Sequence, residues 1–207
     1  STSKLSEQEA TLTELIHTNQ TIVDNTQQTD KKLLKTINNV VGLTREETVF
    51  SSNSSITFIG DQSLLAIANE LTTIYPNAVM HATTIAQVTD LSSTINELKS
   101  KNQLNDIVVL MFGANSAFTK GQLERELKRI GMEKQTFLVT TTTSKTWRED
   151  VNNVYASVSE KYSNVHVLDW NEYSKDQDWF YSHKSYVTEV GAHEEAIFFA
   201  KKVYETL

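Results

Sequence analysis

The chain has 207 residues, with 19 Lys+Arg against 26 Asp+Glu and a formal net charge of -7. An acidic surface without basic clusters repels polyphosphate, so nucleic acid is not expected as a partner. There is no Cys, only one Pro and only six Gly. That excludes a disulfide framework, a thiolate nucleophile and Cys-ligated metal, and no GxGxxG, P-loop or GxSxG sequence can be written from these glycines.

Residues 1–55 contain 26 Ser, Thr, Asn and Gln, with weakly periodic apolar positions at Leu12, Leu15, Ile16, Ile22 and Val23. This region reads as a partly helical linker or stalk, ahead of one domain over 56–207. The opening STSKLSEQEATLTELIH carries no charged-then-apolar leader, and the expectation is a piece of a longer chain. No apolar run reaches the roughly 18 residues of a membrane span, so the domain itself is expected to be soluble. A better helix is predicted over Asp30 to Val41, where Leu33, Leu34, Ile37, Val40 and Val41 share a face and Gly42 follows as a cap.

From Ile56 the pattern changes to short apolar runs alternating with helical periodicity. ITFIG (56–60) reads as a buried strand, followed by a helix through Leu64, Ile67, Ala68, Leu71 and Ile74 that Pro76 stops. A short strand at Ala78 to His81 leads to a helix carrying Val88, Leu91, Ile95 and Leu98. IVVLMFG (107–113) is apolar on both faces, as a covered parallel strand is. A helix with Leu123, Leu127 and Ile130 ends at Gly131. TFLVTT (136–141), a helix from Trp147 to Tyr162, a strand at Val165 to Leu168 and a closing helix from Ala192 to Leu207 complete the series.

Strict alternation of strands and helices implies a parallel sheet between two helical layers, a three-layer α/β/α sandwich with a flavodoxin-like order of five strands. In such sheets the functional cleft lies beyond the carboxyl ends of the strands. The residues placed there are Asp61, Gln62 and Ser63; Thr83 to Ala86; Gly113 to Ser116; Thr142 to Lys145; and the segment around His183 and Tyr186.

At those positions the chain resembles the SGNH (GDSL-like) hydrolases, and more narrowly the extracytoplasmic domain of Gram-positive peptidoglycan O-acetyltransferases. The similarity runs from about Leu43 to Leu207. The family's first block ends in Gly-Asp-Ser with Ser as nucleophile, and here it reads Gly60-Asp61-Gln62. Its second block offers a Gly N–H to the oxyanion hole, where this chain has Ile85. The third block, Gly-x-Asn with a following Phe-Thr, survives as Gly113-Ala114-Asn115 and Phe118-Thr119. The last block, Asp-x-x-His, reads His183-Lys184-Ser185-Tyr186, followed by Val187-Thr188 and Gly191-Ala192.

The scaffold matches and the chemistry does not. A Gln amide nitrogen is no nucleophile, and a Tyr with an ordinary pKa near 10 is a poor general base at neutral pH. His183 stands where a carboxylate orients the base. Triad members act as a unit, so replacement at Gln62, His183 and Tyr186 together implies a catalytically degenerate domain, a pseudoenzyme acting as a binding or regulatory module. The alternative is an O-acetyltransferase or esterase with Ser63 as relocated nucleophile and His183 as base; the plainer reading of Ser63 is an N-cap. His183 and Tyr186 form either a new hydrogen-bonded pair or relics of the family site. Asn115 is either a remnant oxyanion donor or a turn residue beside Gly113, and Asp61 a brace. Gln62, Ile85 and Tyr186 are bulkier than the family residues, which predicts a shallower, partly filled cleft. Trp147 fits a core face, while Trp179 and Phe180 suit the cleft rim. His17, His81, His166 and His193 lack metal-ligand spacing, so neither a metal nor another cofactor is expected. The sequon at Asn53 is read as chance. The resemblance implies display on the outer face of a Gram-positive membrane, where absence of Cys is common. It also implies a membrane acyltransferase part in the same chain, with wall glycan or an active paralogue as further partners.

Overall fold

The structure is a computed structural model that describes residues 2–27, 39–182 and 186–207. The predicted helix over Asp30 to Val41 lies largely outside the described residues, as does His183. Five strands, β1 (Ile56–Gly60), β2 (Val79–Ala82), β3 (Ile107–Met111), β4 (Gln135–Val139) and β5 (Val165–Leu168), form one parallel sheet of order β2-β1-β3-β4-β5. This is the flavodoxin-like order expected from the sequence. The topological switch falls between β1 and β3, and the cleft opens beyond their carboxyl ends.

Alternate residues of each strand face opposite helical layers. Phe58, Met80, Val109, Met111, Phe137 and Leu168 pack under α3 (Gln62–Ile74) and α8 (Glu189–Thr206), joined at the sheet edge by α1 (Thr2–Thr26). Ile59, Val79, Val108, Leu110, Leu138 and Val165 pack against α4 (Leu91–Ser100), α5 (Lys120–Ile130) and α6 (Arg148–Lys161). Every residue of β1 is buried, which is why the strand reads as a continuous apolar run rather than an alternating one.

Two helices were not predicted. In α2 (Arg45–Asn53), Thr44 Oγ1 accepts from the Glu47 N–H while the Glu47 carboxylate accepts from the Thr44 N–H, a reciprocal capping box. Lys201 then bonds Glu47 at 2.9 Å and holds α2 against α8. The five-residue α7 (Trp170–Ser174) is capped by Asp169.

Helix α1 rests on α3 and the edge strand β2. Val23 is fully buried, and Asn19 Nδ2 donates to the Leu65 carbonyl at 2.5 Å. Thr26 Oγ1 accepts from the Met80 N–H at 2.7 Å, and Gln27 Nε2 donates to the Met80 carbonyl at 2.7 Å. These side chains satisfy backbone groups that an edge strand otherwise leaves open to pairing with another chain. Asn19 and Thr26 thus take up positions on the packed face of α1, in keeping with its weak apolar periodicity.

Candidate functional site

The site is assembled where β1, β2, β3 and β4 end. Asp61 follows β1 directly and caps α3. Its carboxylate accepts the Ser63 N–H at 2.9 Å and, from the far side of the cleft, the Ala114 N–H at 3.0 Å. One fully buried side chain thus ties the start of α3 to the loop after β3. Burial pushes the Asp61 carboxyl up to about 6, with the N–H donors of Ser63 and Ala114 acting the other way.

The N-cap is therefore Asp61, two residues before the Ser63 expected in that role. Ser63 lies in the first turn of α3 and borders a small cavity together with Tyr186 and Glu195.

Gln62 stands at the first position of α3 and is 8% exposed. Its Nε2 donates to Asn115 Oδ1 at 2.8 Å. Asn115 in turn donates through Nδ2 to the carbonyls of Ala86 at 2.9 Å and Thr84 at 3.2 Å. The loops following β1, β2 and β3 are laced together by this chain of three bonds. The donor that could face a developing negative charge is spent on two backbone carbonyls. Gln62 Oε1 is buried without a partner among the described residues.

Gly113 makes the turn that brings Asn115 into place. It has a φ of +123°, and a Cβ there would lie 2.9 Å from Thr141 Cβ, so only glycine fits. Trp147, at the head of α6, donates its indole N–H to the Gly113 carbonyl at 2.8 Å, and buried Tyr155 donates its hydroxyl to the Phe112 carbonyl at 2.8 Å. The third-block loop is therefore fixed from behind by two aromatic side chains of the α6 region.

Ile85 does not narrow the cleft as expected. It is 77% exposed and projects into solvent, because the loop is held from its other side by the Thr84 and Ala86 carbonyls.

Tyr186 is half-buried and belongs to a hairpin-like return in which Tyr181 N–H donates to the Tyr186 carbonyl and Thr188 N–H to the Trp179 carbonyl. With Ser63, Met111, Thr140, Trp170 and Glu195 it lines a cavity of ≈ 20 Å³, room for about one water molecule. Gly191 passes so close to the Trp179 carbonyl that any Cβ would collide with it. Trp179 stacks on buried Trp170, with ring centroids 5.5 Å apart and planes 6° from parallel. Phe180 lines an open groove of ≈ 850 Å³ beyond the ends of β4 and β5, with Thr142, Arg148, Asn171, Asp178 and Tyr181.

Glu195 was not singled out in the sequence, yet it reaches this site from α8. Its signal was present, since it falls among Ala192, Ala196 and Phe199 on the apolar stripe of the closing helix. It is 3% exposed, and burial together with the nearby charge of Asp61 holds its carboxyl well above the usual range. Among the described residues no group of three or more His, Asp or Glu side chains could hold a metal ion.

Comparison with known proteins places this geometry. No family model matches the chain. The Streptococcus pneumoniae peptidoglycan O-acetyltransferase A (OatA) C-terminal catalytic domain, solved with a methylsulfonyl adduct, superposes with a TM-score of 0.61 at 20% identity, covering 74% of this chain and 92% of that one. A Clostridium thermocellum family 3 carbohydrate esterase superposes at 0.58 with 14% identity, covering 73% and 96%. The chain has the SGNH-hydrolase fold. In sequence it is similar to the peptidoglycan O-acetyltransferase OatA of Listeria monocytogenes, 32% identical over 136 residues, and to the O-acetyltransferase OatA of Staphylococcus aureus, 29% identical over 131 residues. These matches take in 65% and 63% of this chain but only 21% and 22% of those proteins, so the chain spans about a fifth of the length of the curated relatives it matches. No helix among the described residues is long and apolar enough to cross a membrane.

Proposed function

We propose that this chain is a non-catalytic SGNH-fold domain of a cell-envelope acyltransferase system, held on the outer face of a Gram-positive membrane as a binding or regulatory module. The kinship with OatA proteins supports the setting, and the small fraction of their length that it spans leaves room for a membrane acyltransferase part elsewhere in the same protein. Wall glycan, that membrane part or an active paralogue are the partners this setting offers.

The observation that carries the reading is the bond between Gln62 and Asn115. A serine at that position would present a hydroxyl to the cleft; Gln62 presents an amide that cannot attack an acyl carbon, and it is bonded to the side chain whose amide would steady the oxyanion. Tyr186 adds a phenol where a base is needed. The test is the steady-state hydrolysis of an aryl acetate by the chain and by its Ser63→Ala variant. The expected result is a rate equal to buffer for both. Turnover above buffer that disappears in Ser63→Ala would establish a relocated nucleophile and overturn the proposal.

A further inference from the structure

His193 is a half-buried histidine that the proposed function does not use. It stands on α8, two residues after the Gly191-Ala192 step, and both of its ring nitrogens face acceptors. Nδ1 lies 3.2 Å from the Glu70 carboxylate of α3, and Nε2 lies 3.0 Å from the Val41 carbonyl. One ring thus joins the helix that follows the first block, the helix that follows the last block and the segment that enters α2.

The local backbone fixes the third of these partners. Leu43 N–H donates to the Val40 carbonyl at 3.1 Å and closes a turn over 40–43. Gly42 has a φ of +96°, as a type II turn asks of its third residue, and it rests beside Ile197, one turn along α8 from His193. The segment from Asn39 to Thr44 carries no titratable side chain. At the head of α2, Arg45 donates to Asn39 at 3.4 Å, and Glu47 is held by Lys201 of α8. On α8 itself Glu189 lies one turn before His193 and Glu194 next to it, and their charges favour a cationic ring as that of Glu70 does.

A carboxylate and a carbonyl can only accept, so each contact needs an N–H from the ring. The imidazolium has two; the neutral imidazole has one. A neutral ring keeps its hydrogen on Nδ1, toward the charged and therefore stronger acceptor. Its Nε2 lone pair then faces the Val41 oxygen, and two acceptors at that separation repel.

We propose that His193 is a proton-operated latch on the segment that enters the domain ahead of α2. Charged, it holds the 40–43 turn against α3 and α8; neutral, it stays with Glu70 and lets the turn go. The turn runs directly into the Thr44 capping box, so release loosens the attachment of whatever precedes α2 while the sheet stays intact. This inference is independent of whether the cleft turns over substrate.

NMR of the 207-residue chain labelled with ¹⁵N-histidine tests it across about pH 5 to 8, the range in which histidine changes charge. The His193 ring signals are assigned by their loss in His193→Ala. Hydrogen on both nitrogens is expected in acid, and on Nδ1 alone once the ring is neutral. Protection of the Leu43 N–H against exchange, corrected for intrinsic rates, is expected to fall about three- to tenfold over the same titration, the worth of one hydrogen bond. In Glu70→Ala the neutral ring is free to carry its hydrogen on Nε2, so Leu43 is expected to stay protected throughout. In His193→Ala it is expected to be weakly protected throughout. Amides of β1 and β3 report in each variant that the sheet is intact. A neutral ring protonated on Nε2 in the parent chain, Leu43 protection that does not follow the His193 titration, or the same pH dependence in His193→Ala would each overturn the proposal.

Discussion

Replacing Asn115 by Ala removes three bonds at once. It deletes the acceptor of Gln62 Nε2 and both donors to the loop after β2. A neutral hydrogen bond contributes about 0.5–1.5 kcal/mol net, and leaving a buried donor unpaired costs about 1–3 kcal/mol. Gln62 is nearly buried while Asn115 is half-buried, so water can replace some of the lost partners but not that of the Gln62 amide. The expected loss is about 2–3 kcal/mol in urea unfolding, with m unchanged. Gln62→Ala alone loses one bond but also removes the unpartnered Oε1, and its cost is expected to be smaller. The double variant isolates a coupling of about 0.5–1.5 kcal/mol. An Asn115→Ala chain within about 0.5 kcal/mol of the parent, with no coupling to Gln62, would mean that Asn115 is not committed to these bonds; the reasoning about a spent oxyanion donor would then fail.

Other consequences follow from the same geometry. The Asp61 carboxyl is raised from 3.8 to about 6 in the folded chain, so its contribution to stability is fully present below about pH 4 and is lost as pH rises through 6. The loss amounts to about 3 kcal/mol, readable as a fall in urea stability between pH 4 and 7 in excess of that from other groups. The contribution of Asp61 to global stability thus rises on acidification. Trp147→Phe keeps the ring but loses the bond to the Gly113 carbonyl, and is expected to cost about 1 kcal/mol in urea unfolding and to speed exchange in the 113–116 loop. Val23→Ala, at a fully buried apolar contact of α1, is expected to cost about 1–3 kcal/mol if α1 and the sheet unfold together. A neutral result by thermal unfolding would show that α1 opens separately.

The sheet and its two helical layers were legible because burial on both faces leaves uninterrupted apolar strands such as IVVLM, while the intervening helices keep a one-sided stripe. The short helices were less so. The Thr44-x-x-Glu47 capping box was visible in the sequence, but it sits in a Ser-, Thr- and Asn-rich stretch whose composition reads as linker. Asp61, Gln62 and Asn115 could be placed at the strand ends from motif order alone. Their pairing could not, since Gln62 and Asn115 are 53 residues apart and either could have faced solvent. Ile85 shows the limit from the other direction: side-chain size says nothing about direction, and the backbone bonds of its neighbours turn it outward. Glu195 was readable as a charge on an apolar stripe, but only the fold shows that it borders the cavity shared with Ser63 and Tyr186.

The central claim is that no residue here accepts an acyl group. Its most direct test is the intact mass of the chain after incubation with an activated acetyl ester. An unchanged mass is expected, and a gain of about 42 Da that maps to Ser63 and is lost in Ser63→Ala would contradict the claim.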